Sequence, residues 1–278
     1  MAGDRLKIDN DVRSITIGSF DGLHLAHRRL IELADMIVVI ERGSGYLTAG
    51  YRRSRHTDKP ITIYSFDKIK SLTPSEFISK LKNAFPKLRE IIVGYDFRFG
   101  SQKAGDVSTL AEIFDGKLTV VDEIIIDEVS VHSRTIKALL RDGKIADANR
   151  LLGRKYSIDG TIHSGQGLGA KELVPTLNIY TEHYLLPLDG VYATETLIDD
   201  RWVDSISFLG HRVSTDGSYA IETHLLGGDI GAVTGRIEIA FVQYIRANKK
   251  FDSLTKLKEQ IEIDINSAKT ILQGAKND

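Results

Sequence analysis

A change of rhythm near residue 153 constrains this chain more than any other feature. Before it, short β-branched runs alternate with helix-patterned stretches. The strand candidates are Ser14–Ile17, Ile37–Ile40, Ile61–Ile63, Ile91–Val93 and Leu118–Val121. Between the third and fourth, Thr73-Pro74-Ser75-Glu76 supplies a capping hydroxyl, a proline at the first helical position and a glutamate three residues after the cap. Phe77, Ile78, Leu81 and Phe85 follow at helical spacing. Strands alternating with helices predict an α/β fold with a doubly wound parallel sheet, whose ligands bind beyond the C-terminal strand ends. From Ser133 to Leu152 the chain reads as two short helices broken at Asp142-Gly143. After Gly153 the period changes to two, in Tyr156–His163, Gly190–Leu197, Ser218–Leu225 and Arg236–Tyr244, with glycine and aspartate turns between. That pattern predicts a small antiparallel β-barrel. Leu254, Leu257, Ile261 and Ile265 then predict a C-terminal helix over Ser253–Leu272. The expected domains are 1–153 and 154–278.

Gly18-Ser19-Phe20-Asp21-Gly22-Leu23-His24-Leu25-Ala26-His27 follows the first strand directly and opens a helix. A helix start offers unpaired N–H groups and the positive end of a dipole, which suits phosphate. Gly18 and Gly22 let the backbone approach an anion closely. His24 and His27, three apart on the first helical turn, share a face and can donate hydrogen bonds that strengthen as charge develops. Zinc is the rival reading, but there is no cysteine in the chain and no carboxylate beside the pair.

In the second half, Gly165-Gln166-Gly167-Leu168-Gly169-Ala170-Lys171 precedes Pro175-Thr176-Leu177-Asn178. The glycine run lacks the Gly-Lys-Ser/Thr ending of a Walker A loop. Between residues 41 and 60, three glycines and five Arg/Lys residues read as a solvated loop, with a basic loop near phosphate as the second reading.

These segments together resemble the bacterial bifunctional riboflavin kinase/FMN adenylyltransferase (FAD synthetase) family. Gly18–His27 is similar to its G-x-F-D-G-x-H-x-G-H signature, with Ala26 in place of the usual glycine and Ser19 in place of asparagine. The resemblance implies a nucleotidylyltransferase domain in which His24 and His27 are catalytic and Gly18, Ser19, Phe20, Asp21 and Gly22 bind ATP. Val93–Gly100 resembles the family's G-x-D-F-R-F-G stretch, which implies flavin binding by Asp96, Phe97 and Phe99. Val131–Lys137 lies where the family has I-S-S-T-R-I-R, so Ser133, Arg134 and Lys137 are the implied triphosphate clamp. The family's F-x-P-x-P stretch is not recognisable.

In the second domain, the stretch 165–178 is similar to G-R-x-x-G-F-P-T-A-N of riboflavin kinases. That implies nucleotide contacts from Gly165, Gly169 and Lys171, and magnesium held by Thr176 and Asn178. Ala170 and Leu173 depart from the family's arginine and glycine. Gly190–Ala193 matches G-V-Y-A, and Ile221–Leu226 resembles V-E-x-H-I-L, which makes Glu222 the implied general base. Arg246 and Phe251 resemble I-R-x-x-x-x-F-x-S-L, a segment that helps to cover the flavin.

The resemblance therefore implies phosphorylation of riboflavin to FMN, then adenylylation of FMN to FAD, each with Mg²⁺ and ATP. An adenylyltransferase for some other phosphorylated alcohol accounts for Gly18–His27 but leaves Pro175–Asn178 and Glu222 unexplained. A flavin- or nucleotide-binding regulatory homologue with one activity weakened or lost is the alternative; Ala26, Ala170, Leu173 and the order Arg134-Thr135 motivate it.

Charge supports small-molecule partners. Thirty-seven Lys and Arg residues against 38 Asp and Glu give a formal net charge of -1, so no basic field invites nucleic acid. Apolar runs such as Met36–Ile40 are too short to span a bilayer. Met1–Asp11 has no apolar leader segment, and a cytoplasmic location is expected.

Overall fold

The computed structural model describes residues 11–43, 46–163, 174–212, 217–227 and 233–276. The chain divides into two compact units, Met1–Ser133 and Arg134–Asp278.

The first unit is built on a five-stranded sheet. Its strands are β1 (Ser14–Gly18), β2 (Met36–Glu41), β3 (Ile61–Ser65), β4 (Glu90–Gly94) and β5 (Lys117–Val121), in the order β3-β2-β1-β4-β5. Every neighbouring pair is parallel. All five strands predicted from the sequence are present. A parallel sheet is covered on both faces, so its central strands are largely apolar, while the edge strands β3 and β5 keep polar, partly exposed residues. Ile15, Ile17, Val38, Ile91 and Val93 pack on one face with Phe77, Ile78 and Leu81 of helix α2 (Pro74–Ala84). Ile37, Val39 and Ile92 pack on the other with Phe20, Leu23, Leu30 and Ile31, the last two from helix α1 (Leu25–Glu32). The chain winds outward from β1 in one direction through β2 and β3, and in the other through β4 and β5. The C-terminal end of β1, at Gly18, therefore lies at the switch point where such sheets bind ligands. The capping box is formed: Glu76 N donates to Thr73 Oγ1 at 3.3 Å, and Thr73 N donates to Glu76 Oε2 at 2.8 Å.

One carboxylate pins the start of β1. Asp35 Oδ2 accepts from the N–H groups of Arg13 (3.0 Å) and Ser14 (2.9 Å). Partial burial opposes its ionisation. The two backbone donors, the Ser14 hydroxyl and the Lys59 charge outweigh that burial and hold the carboxyl below its usual 3.8. A depressed carboxyl contributes stability above its unfolded value and loses it as pH falls through the folded one. Asp35→Asn is accordingly expected to cost about 1 kcal/mol at pH 7, a net hydrogen-bond contribution discounted for exposure. Denaturation should show that cost shrinking toward zero in acid, below the normal carboxyl range.

Helix α3 (Val107–Ile113) precedes β5, and the short antiparallel pair β6 (Ile125–Ile126) and β7 (Val129–Ser130) follows it. Helix α4 (Ser133–Arg141) begins at the division between the units. Helix α5 (Ile145–Leu152) ends on Gly153 in the left-handed region, with φ 69°. The break at Asp142-Gly143 falls as the sequence predicts. Both helices precede the change in strand rhythm, yet α5 packs on the barrel. Asn149 Nδ2 donates to the Phe241 carbonyl at 2.9 Å, and its Oδ1 accepts from Tyr156 N at 2.7 Å.

The second unit is a closed barrel of β8 (Tyr156–His163), β9 (Leu177–Tyr180), β10 (Gly190–Ile198), β11 (Arg201–His211), β12 (Tyr219–Leu225) and β13 (Arg236–Arg246). The order is β10-β11-β12-β9-β8-β13, and every pair is antiparallel. Helix α6 (Leu254–Gly274), capped by Ser253, covers the outer face through Ala268 and Leu272 against Val191, Ala193, Ile206 and Val242. The opposite face carries a buried set of hydroxyls. Thr194 Oγ1 is 2.8 Å from both Ser205 Oγ and Ser207 Oγ, Thr196 Oγ1 is 2.8 Å from Ser205 Oγ, and Ser207 Oγ donates to Thr223 Oγ1 at 2.8 Å. Beside them Tyr156 stacks on Phe241, and Tyr192 meets Phe241 edge-on. No described helix is long and apolar enough to cross a membrane.

Candidate active sites

The glycine turn leaves β1 through three positive backbone angles: Phe20 (φ 44°), Gly22 (φ 93°) and Leu23 (φ 39°). For Phe20 and Leu23 that conformation costs on the order of 1–3 kcal/mol each. Both side chains are fully buried, which returns a similar amount for each. Gly18 makes the packing possible, since a Cβ there would stand 3.3 Å from the Phe20 ring. His24 is the N-cap of α1, one residue before the helix rather than inside its first turn, and its Nδ1 accepts from His27 N at 3.4 Å. That bond assigns the proton of the neutral ring to Nε2, a donor. The His24 and His27 rings stack at 3.6 Å with 17° between planes, so the predicted pair is assembled. The Phe20 ring lies 5.0 Å from that of His27.

Residues 46–56 correct the reading of this region as a solvated loop. Tyr46, Leu47, Thr48, Ala49 and Arg53 are buried, and Arg53 is wholly so. Asp21 Oδ1 accepts from Leu47 N (2.8 Å) and Thr48 N (3.1 Å). Arg53 Nε donates to the Phe20 carbonyl at 3.3 Å, and its Nη1 to Glu41 Oε1 at 2.7 Å and the Gly50 carbonyl at 3.1 Å. The segment braces the turn from behind, and the buried guanidinium is sustained by a carboxylate and two carbonyls. Nothing in the local sequence marks Arg53 apart from its basic neighbours. Two of its partners, Glu41 and the Phe20 carbonyl, lie 12 and 33 residues away in the chain.

Ser133 Oγ donates to the Asp21 carbonyl at 2.7 Å, which brings one member of the predicted clamp to the turn. Arg134 is exposed and Lys137 half-buried on α4, in the second unit. Ser19 is exposed at the end of β1. In the predicted flavin segment, Asp96 is exposed. Phe99 is a core residue, and Phe97 stacks on it at 5.4 Å. Arg98 Nη1 bonds Asp106 Oδ2 at 2.8 Å while Asp106 Oδ1 caps α3. Phe97 and Phe99 thus contribute to the core of the first unit.

In the barrel, Asn178 and Glu222 are direct cross-strand partners on β9 and β12. Glu222 is also the partner of Phe208 on β11, so the pair belongs to the barrel side that packs α6, and Thr176 stands one residue before β9. His224 shares this side, and its Nδ1 lies 2.8 Å from the Pro175 carbonyl. Arg212, which the sequence reading does not single out, joins the group. Its Nε donates to Glu222 Oε1 at 2.7 Å, its Nη2 lies 2.6 Å from the same oxygen, and Nη2 also donates to Asn178 Oδ1. Gly165, Gly169 and Lys171 lie outside the described residues. Arg246 forms a two-pronged pair with buried Asp264 of α6, Nε to Oδ1 at 2.9 Å and Nη2 to Oδ2 at 2.6 Å, with its guanidinium 5.9 Å from the Phe251 ring. That pair ties the terminal helix to β13.

No group of three His, Asp or Glu side chains among the described residues forms a ready metal cage. The oxygens of Thr176 and Asn178 suit magnesium nonetheless, because that ion takes few protein ligands and keeps phosphate and water oxygens.

A switch-point turn bearing paired imidazoles, and a barrel face joining a carboxylate to an amide and a guanidinium, suit a two-part transferase that works on phosphates. The comparisons narrow this class. The family model described as riboflavin kinase matches residues 152–272, and the one described as FAD synthetase matches residues 55–135. With both on one chain, the protein belongs to the bifunctional riboflavin kinase/FMN adenylyltransferase family. Enzymes carrying that name are similar to it over nearly their whole length. The protein of Buchnera aphidicola subsp. Schizaphis graminum is 28% identical, with 95% of each chain covered. That of Pseudomonas fluorescens is 28% identical with 92% of each covered, and that of Escherichia coli K12 27% identical with 90% of each covered. A crystal structure named macrolide-efflux protein from Streptococcus pneumoniae shares the fold, with a TM-score of 0.82 at 23% identity over 93% of this chain and 94% of that one.

Proposed function

We infer that this chain is an enzyme that phosphorylates riboflavin to FMN and adenylylates FMN to FAD. The observation that carries the reading is the joint occurrence of a riboflavin kinase match on the closed barrel and an FAD synthetase match on the parallel-sheet unit. We place the functional boundary at 153/154, where the strand pattern changes and close to the start of the kinase match.

In the first unit, an FMN phosphate oxygen attacks the α-phosphorus of ATP and the bond to pyrophosphate breaks. Negative charge grows on the leaving group. The His24 Nε2–H, the His27 ring stacked on it and the N–H groups opening α1 present donors fixed before the reaction begins. The brace of Arg53 and Asp21 holds the strained turn in that arrangement. Ser19, Gly22 and Ser133 are the proposed ATP contacts of this unit, and Asp96 and Phe97 the proposed flavin contacts.

In the barrel, the ribityl 5′-hydroxyl oxygen attacks the γ-phosphorus, its proton passes to the Glu222 carboxylate, and ADP leaves. Glu222 stands beside Asn178, which supports a base adjacent to a phosphate-side ligand. Thr176 and Asn178 would hold Mg²⁺, which when bound supplies charge neutralisation at the phosphate oxygens.

Chromatography of riboflavin and Mg·ATP after incubation with the full chain tests the assignment. FMN should rise first and FAD follow, with pyrophosphate released in step with FAD. Formation of FMN alone would favour the homologue with one activity lost.

A further inference from the structure

We propose that Arg212 binds the γ-phosphate of ATP in the kinase barrel and is a catalytic residue of FMN formation. The proposal rests on Glu222 acting as the base and Asn178 as a phosphate-side ligand, and it adds the cation that this pair needs. The nucleophilic hydroxyl must lie within hydrogen-bond reach of Glu222, and its oxygen must lie about 3 Å from the γ-phosphorus. Asn178 fixes where the other phosphate oxygens are gathered. The transferring group therefore belongs between these two side chains, and the Arg212 guanidinium spans them: Nη2 contacts both Asn178 Oδ1 and Glu222 Oε1, the latter at 2.6 Å.

Position and exposure both fit this role. Arg212 follows the last residue of β11, and its backbone N–H donates to the Ser218 carbonyl at 2.9 Å while its carbonyl accepts from Gly217 N at 3.1 Å. Its Nη1 also donates to Ser218 Oγ at 3.0 Å. The side chain is thus aimed before nucleotide arrives. It is not sealed in: the side chains of Arg212 and Glu222 retain 21% and 24% of their exposure, so a phosphate can reach the guanidinium. A planar guanidinium binds phosphate through two parallel N–H bonds, and the Nη2 bridge between an anion and an amide oxygen shows that its fork already faces acceptors. As the γ-phosphoryl group loosens from ADP, charge grows on its equatorial oxygens, where an arginine stabilises the transition state.

Steady-state FMN formation by the full chain, with ADP as a product inhibitor, separates this role from a structural one. In Arg212→Gln, the KM for ATP should rise roughly 10- to 100-fold, the fold-change of one charge-assisted contact, and kcat should fall. Inhibition by ADP, which lacks the γ-phosphate, should stay near the wild-type value. Arg212→Lys should recover part of the loss, and it carries the test if the glutamine variant does not fold. FAD formation from supplied FMN serves as the folding control in every variant. Parallel weakening of ATP and ADP, or an unchanged KM for ATP, would overturn the proposal. Faster FMN formation in Arg212→Gln would also overturn it and mark the Arg212–Glu222 pair as a latch. Persistence of FMN formation in Glu222→Gln would instead remove the underlying reading, so the two failures are distinguishable.

Discussion

Replacing His24 with alanine is expected to lower FAD formation from FMN by about 10²–10³-fold, the effect of removing one oriented donor from a site that stabilises developing negative charge. FMN formation from riboflavin should stay close to wild type. The asymmetry follows from where the residue acts. His24 caps α1, and its ring lies 3.6 Å from that of His27, so alanine removes a donor, a cap and a stacking partner together. Loss of the cap alone costs only about 1 kcal/mol of stability, too little to unfold a domain with two covered sheet faces. Pyrophosphate release with FMN as substrate, measured beside FMN synthesis in the same preparation, checks the prediction. Equal loss of both activities in folded protein would refute the role given to His24.

Glu222→Gln should show the reverse pattern. FMN formation is expected to fall by about 10²–10⁴-fold, the range for loss of a positioned general base, while FAD formation from supplied FMN is retained. Glutamine keeps the shape and an oxygen facing Arg212, where the carboxylate now accepts at 2.7 Å, so the local structure should survive. Only the capacity to take the hydroxyl proton disappears. A KM for riboflavin near wild type with a collapsed kcat would place the loss in the chemical step.

The legibility of the chain follows the physics of each half. Parallel strands buried on both faces are continuous apolar runs, and Ile91–Val93 or Ile37–Ile40 announce themselves. The Thr73–Glu76 cap is equally plain, because its hydrogen bonds are local. β9 is harder to see, being only four residues long. β11 is obscured because its inward positions are Ser205 and Ser207, so the usual contrast between apolar inside and polar outside is lost. The paired histidines could be anticipated from their spacing behind a glycine turn, and Asn178 and Glu222 from the family resemblance, though not their pairing across strands. Arg53 and Arg212 could not. The burial of Arg53 depends on Glu41 and the Phe20 carbonyl, and the importance of Arg212 depends on a strand pairing that joins Asn178 to Glu222.

The hydroxyl lining of the barrel has a consequence for how this sequence can change. Thr194, Ser205, Ser207 and Thr223 are linked to one another by hydroxyl–hydroxyl hydrogen bonds, and each is sealed from water. Exchange of one threonine for valine keeps the volume but strands a neighbour's lone pair or proton. Tolerated drift at these positions must therefore come as coordinated substitutions, in which adjoining strands abandon or keep their polarity together.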